Sequence, residues 1–135
     1  MTRILRIGIG GPVGSGKTTI LRLASGLEKI QDGKIIFDNN IISKDLKLLK
    51  PENRNIGYVF QDCALFPHLN VEENIFYGIK KENFKLTNKV NLLLEKNNFL
   101  KYKSRYPHEL SGGQKQLVAL FRAIASEPKL ILMDE

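Results

Sequence analysis

A parallel α/β architecture is predicted by the way this sequence alternates. Short apolar runs of strand character recur between segments with helical spacing, from Ile4 to Met133. Such alternation lays helices over the faces of a parallel sheet. A glycine-rich turn follows the first apolar run and precedes the first helical one. The last run, Leu130–Met133, has the length and continuity of a strand buried on both faces.

Each element has its own signal. Residues 4–10 read as a strand that runs into the glycine turn. Thr18 to Ser25 carries Ile20, Leu21 and Ala24 at helical spacing, and Gly26 stands where a left-handed C-terminal cap belongs. The turn Gln31-Asp32-Gly33 precedes a β run, Lys34–Phe37, with Ile41-Ile42 as its pairing partner. Asp45 to Lys50 is expected as a brief helix stopped by Pro51. Ile56 to Phe60 reads as a further strand. Val71 to Ile79 and Val90 to Leu100 read as helices. Ser111 to Ser126 is the clearest helix, with Leu117, Leu120, Phe121 and Ile124 as its apolar stripe. Pro128 separates it from the last strand. No internal repeat or low-complexity tract interrupts the series.

Composition narrows the function. The chain has 135 residues, 42% hydrophobic and 26% charged, enough for one domain with a real core. Cys63 is the one cysteine, so no internal disulfide forms, and a reducing setting fits. No signal peptide or bilayer-length apolar run is present, so a role at a membrane would be played beside it. The net charge is +7, concentrated between Lys80 and Arg105, where eight basic residues face only Glu82 and Glu95. A solvated face is the first reading of that stretch, anionic lipid headgroups the second. A nucleic-acid groove comes last, because no aromatics alternate with the lysines, and no nucleic-acid partner is expected.

Two glycine loops carry the chemistry. Gly11-Pro12-Val13-Gly14-Ser15-Gly16-Lys17-Thr18 fits G-x-x-x-x-G-K-[ST], and Thr19 continues it into the helix. The glycines let backbone N–H groups converge on phosphate oxygens. The helix that opens here adds the positive end of its dipole. Lys17 supplies a full charge for β and γ phosphates, and the Thr18 hydroxyl suits Mg2+. The pattern resembles the phosphate loop of the P-loop NTPases, so nucleoside triphosphate binding with Mg2+ is the expected function. The second loop is Ser111-Gly112-Gly113-Gln114. Ser111 and Gln114 have the form of a capping box. Glycine in a first helical turn costs about 1 kcal/mol each against alanine, which implies that something approaches the backbone closely.

Leu110-Ser111-Gly112-Gly113-Gln114 matches the LSGGQ signature of the ABC-type ATPases. Tyr58-Val59-Phe60-Gln61, leading into Ala64-Leu65-Phe66-Pro67-His68-Leu69, resembles that family's Q-loop. Leu130 to Glu135 resembles its Walker B strand. The stretch ALFPHLNVEENI is similar to importer ATPases for ferric iron, sulfate, molybdate or polyamines. The resemblance implies a RecA-like parallel sheet core, residues 1–61 and 111–135, with a helical subdomain, 62–110. It implies a head-to-tail dimer with a second ATPase subunit. There Ser111, Gly112, Gly113 and Gln114 would contact the ATP held by the partner's first loop. Thr18, Gln61 and, through water, Asp134 would hold Mg2+. Gln61 and Glu135 would be catalytic, Glu135 by polarising the attacking water. Transmembrane permease subunits would be further partners, and the protein would sit peripherally on the cytoplasmic face of the membrane.

Departures accompany the match. The family has arginine at the position of Leu117 and alanine at that of Phe121, while Arg122 is retained. No aromatic precedes the first loop to stack on adenine, and residues 3–13 also resemble the urease accessory GTPases. That rival needs N-K-x-D, and Asn88-Lys89-Val90-Asn91 lacks the aspartate. With the D-loop and switch histidine expected beyond Glu135, the domain reads as incomplete. The 135 residues alone are then expected to be inactive in hydrolysis, and a non-hydrolysing nucleotide-binding fragment is the standing alternative. His68 and His108 read as structural, and Cys63 has no catalytic role.

Overall fold

The computed structural model describes residues 5–6, 16–44, 47–79 and 84–134. Gly11 to Ser15, Glu135 and the side chain of Lys17, all expected at the site, lie outside the described residues. In chain order the elements are β1 (Leu5–Arg6), α1 (Lys17–Ser25), β2 (Lys34–Phe37), β3 (Asn40–Lys44), β4 (Lys47–Leu48), β5 (Ile56–Val59), α2 (Val71–Phe76), α3 (Phe84–Lys96), α4 (Gly112–Ala125) and β6 (Leu130–Met133). They divide into two compact units, Met1–Tyr58 with Lys129–Glu135, and Val59–Pro128.

In the first unit β1 pairs in parallel with β6, Leu5 opposite Leu130 and Arg6 opposite Ile131. β6 lies between β1 and β5. That central place is why its sequence is a continuous apolar run; Leu130, Ile131 and Leu132 are all buried. Leu21 of α1 packs on Leu130 and Leu132, with Ala24, Phe37, Ile56 and Tyr58 around them. Gly26 ends α1 at φ 84°, and its N–H reaches back to the carbonyls of Arg22 and Leu23, a left-handed cap that glycine adopts without a Cβ penalty.

A second sheet, β2-β3-β4, is antiparallel. Asp38 and Asn39 turn β2 into β3 with positive φ, 51° and 62°, as a tight hairpin of this hand requires. Of the helix expected over Asp45 to Lys50, the described residues 47–50 are not helical. Lys47 and Leu48 instead form β4, opposite Lys44 and Ser43, and the Leu49 N–H donates to the Ile42 carbonyl at 3.1 Å. So short a helix closes too few bonds to offset its nucleation, whereas the edge of β3 offers ready acceptors.

Arg54 ties the first unit together. It is 2% exposed. Its Nε donates to the Leu49 carbonyl at 2.8 Å, Nη1 to the carbonyls of Leu23 and Ala24 at 3.0 and 2.7 Å, and Nη2 to the Ser43 hydroxyl at 2.7 Å. One guanidinium thus joins the end of α1 to β3 and to the segment after β4. Burial pulls its pKa below the usual arginine value. The negative end of the α1 dipole compensates the charge.

The second unit is helical. Val71 and Ile75 of α2, Val90 and Leu94 of α3, and Val118, Phe121 and Ala125 of α4 share one core with Phe99 and Leu110. Asn70 caps α2 in a reciprocal box with Glu73. α3 begins and ends earlier than its spacing suggests, at Phe84 and Lys96, with Asn98 turning beyond it at φ 53°. α4, expected with the sheet core, packs on α2 and α3. Its buried face runs through Val118, Phe121 and Ala125, and Leu117 is 38% exposed. The expected stripe followed the bulkiest side chains; Phe121 of that stripe is in the core, where Val118 and Ala125 rather than Leu117 accompany it.

Part of the basic stretch is engaged locally. Lys89 pairs with Glu127 and Lys103 with Glu72. Lys101 and Arg105 lie over the Tyr102 ring, 5.2 and 4.9 Å from its centroid. No described helix is long and apolar enough to cross a membrane.

Candidate functional site

Parallel pairing sets the carboxyl ends of β1 and β6 at one edge of the sheet. Open α/β sheets bind ligands at that edge. α1 starts there, after Gly16 at φ 76°, with no side-chain cap from Gly16 and no acidic residue in the first turn. The first helical N–H groups of α1 have no acceptor within the helix, so they present partial positive charge to whatever approaches. The Thr18 hydroxyl, in that turn, donates to Asp134 Oδ1 at 2.8 Å. Asp134 follows directly on β6. A hydroxyl and a carboxylate in contact, beside a helix start, form the hard-oxygen donor set that Mg2+ prefers. The expected pair is therefore brought together, and it fits the metal.

The other carboxylate oxygen is also held. The Tyr58 hydroxyl, on β5, donates to Asp134 Oδ2 at 3.1 Å. Sequence reasoning missed Tyr58, because a tyrosine in a strand ordinarily reads as packing. Burial first, then the hydrogen bond and charge of Asp134, push its phenol from the ordinary 10.0 up to about 12. The folded protein holds that proton more tightly than the unfolded chain. Stability is accordingly lost as pH rises from 10.0 through about 12. Alkaline denaturation midpoints should show this fall, and Tyr58→Phe should flatten it.

The second loop opens α4, in the second unit. Ser111 Oγ accepts from the Gln114 N–H at 3.3 Å, and the Ser111 N–H donates to Gln114 Oε1 at 2.9 Å. The capping box is thus formed. Gly112 and Gly113 are exposed. Among the described residues outside the helix's own local backbone, a methyl group at either would meet no atom within 4 Å. No described side chain or distant segment therefore calls for glycine here. Ser111→Ala should lower the melting stability by about 1 kcal/mol. Thermal melts of the variant against the parent would read this difference, and an unchanged melt would show that the box contributes nothing to the helix.

Gln61 is exposed, in the turn that follows β5. Past it, Asn74 is fully buried. It accepts from the Phe66 N–H at 2.9 Å and donates to the carbonyls of Phe66, Leu69 and Asn70 at 3.1, 2.9 and 3.0 Å. The loop 66–70 is thereby pinned to α2. Its signal in the sequence was a polar residue beside Val71 and Ile75 on the helix's apolar face. His68 meets the Phe66 ring edge-on and His108 stacks on Tyr106. Among the described residues no three His, Cys, Asp or Glu cluster as metal ligands.

Comparison with known proteins decides the family. A family model described as ABC transporter matches residues 3–135. The chain belongs to the ABC transporter family. This ABC chain is 46% identical over 132 residues to the probable sulfate/thiosulfate import ATP-binding protein CysA of Chlorella vulgaris, covering 96% of the chain and 54% of that relative. It is 50% identical over 128 residues to the spermidine/putrescine import ATP-binding protein PotA of Acetivibrio thermocellus, covering 93% and 35%. It also resembles the dimeric post-hydrolysis structure of the ATP-binding cassette MJ0796 bound to ADP and Pi. There the TM-score is 0.72 at 33% identity, covering 92% of the chain and 57% of that structure. The chain spans about half the length of the first relative and about a third of the second. Its fold is that of an ABC cassette, the P-loop NTPase fold with mixed helix and sheet.

Proposed function

We propose that this chain carries the ATP-binding and ATP-hydrolysing chemistry of an importer subunit. That subunit would work peripherally at the cytoplasmic face of a membrane, beside permease partners. The observation that carries the reading is the Thr18–Asp134 hydrogen bond at 2.8 Å, across the opening of an uncapped helix. Lys17 and the N–H groups of residues 11–19 would hold the phosphates. Thr18, Gln61 and Asp134, the last through water, would hold Mg2+, which supplies charge neutralisation for phosphoryl transfer. Glu135 would polarise the attacking water. Ser111 to Gln114 would serve the ATP of a second subunit, so that two chains complete two sites. The importer reading draws on relatives named for sulfate/thiosulfate and for spermidine/putrescine at similar identity. Selection of the solute would then fall to the membrane partner.

A fluorescent ATP analogue, titrated with Mg2+ and again with EDTA, tests this. Binding should tighten several-fold with Mg2+, and Asp134→Asn should lose that gain while keeping metal-free binding. Unlabelled ATP should displace the analogue at lower concentration than GTP. Binding indifferent to Mg2+, or preference for GTP, would refute the assignment.

A further inference from the structure

Just after Gln61 the backbone passes through two adjacent non-glycine residues in the left-handed region, Cys63 at φ 64° and Ala64 at φ 41°. A Cβ makes that conformation unfavourable by roughly 1–2 kcal/mol per residue. Two in succession persist only where the surroundings impose them. One side chain meets both. Arg122 of α4 donates from Nη1 to the Ala64 carbonyl at 2.8 Å and from Nη2 to the Cys63 carbonyl at 3.0 Å. Its guanidinium lies 5.5 Å from the centroid of the Phe66 ring, and Asn74 fixes the Phe66 backbone in turn. The turn is also bonded on its near side. The Cys63 N–H donates to the Phe60 carbonyl at 2.9 Å, and the Ala64 N–H to Asp62 Oδ1 at 3.2 Å. α4 is the helix whose first turn is the second glycine loop. One rigid element therefore carries Ser111 to Gln114 at its start and, further along, the fork that grips the turn behind Gln61.

We propose that Arg122 is a positioning residue. It clamps the strained turn 61–64 onto α4 and so ties the placement of Gln61 to the helix that bears Ser111 to Gln114. The contact stands on geometry alone; its consequence for turnover rests on the reading of Gln61 given above. A planar fork spans two adjacent carbonyls, and a lysine ammonium has no such geometry.

Amide hydrogen exchange on the full-length protein tests the clamp. Arg122→Met should speed exchange at Cys63 and Ala64 by about tenfold or more while Val118 and Ala119, inside α4, stay as they were. Arg122→Lys should fall between. Glycine adopts the left-handed region freely. With Cys63→Gly and Ala64→Gly already in place, Arg122→Met should accelerate exchange at these two sites no more than about twofold. Turnover should follow: about tenfold lower kcat in Arg122→Met with KM for ATP little changed, and partial recovery in the glycine background. Unchanged exchange at residues 63 and 64 would overturn the proposal. So would acceleration spread evenly along α4, which marks loss of packing, or an undiminished effect in the glycine background. If exchange behaves as expected but Gln61→Ala leaves kcat intact, the clamp stands and the role given to Gln61 fails.

Discussion

Lys17→Ala lowers ATP affinity at least about 100-fold and leaves the fold intact. The start of α1 offers N–H groups and a fraction of a positive charge; in the proposed site Lys17 would add a whole charge from the protein at the β and γ phosphates, beside that of Mg2+. A hydrogen bond to a charged group contributes about 1.5–3 kcal/mol, and each 1.4 kcal/mol is roughly a tenfold change in affinity. Two phosphates served by one ammonium place the loss near the top of that range or above it. The packing of α1 rests on Leu21 and Ala24 against the sheet, so the helix keeps its seat without Lys17. Fluorescent-nucleotide titration reads the affinity, and a thermal melt checks the fold. Unchanged affinity would remove the phosphate loop from the site.

Arg54→Met destabilises the protein by about 3 kcal/mol or more. Methionine fills much of the same volume, so the loss is not a cavity. What it leaves behind is the carbonyls of Leu49, Leu23 and Ala24 and the hydroxyl of Ser43, all bonded to the guanidinium in the native protein. The Ser43 bond is buried and the three carbonyl bonds part-buried; an acceptor left unmet costs up to about 1–3 kcal/mol, less wherever it meets water or another donor. Arg54→Lys recovers only part, because three donors on one point cannot reach acceptors on three segments. Gly26 is coupled to this arginine. A Cβ there would stand 2.5 Å from Arg54 Nε, so Gly26→Ala costs less in the Arg54→Met background than in the parent. Urea denaturation should show a lower midpoint with an unchanged slope. A midpoint within error of the parent would mean that the anchors of α1 lie elsewhere.

The elements legible in advance were those governed by local rules. The Gly26 cap, the box at Ser111 and Gln114, and the strand character of Leu130 to Met133 each follow from what a few neighbouring residues can do with their own backbone. The pairing of the Ile41-Ile42 segment with Lys34–Phe37 belongs with them. β4 was misread because Asp45 to Lys50 has no strong preference of its own; the free edge of β3, set by the rest of the unit, chose for it. Leu117 was misread for a similar reason. A helix carries several faces that could be buried, and the partner helices select one.

By itself the sequence determined the chemistry: two glycine loops, a lysine, a threonine, and an aspartate at the end of a buried strand, in an order that already resembled the ABC family. These are requirements of residue type, and residue type is what a sequence states. Only the tertiary structure decided that the Thr18 hydroxyl meets Asp134 across 116 positions, that Tyr58 takes the other oxygen, and that Arg54 and Arg122 each hold backbone from distant segments. The physical reason is that both arginines bind mainly to main-chain carbonyls. A carbonyl is the same group at every residue, so nothing in the sequence marks which ones a distant guanidinium will reach until the fold has brought them together.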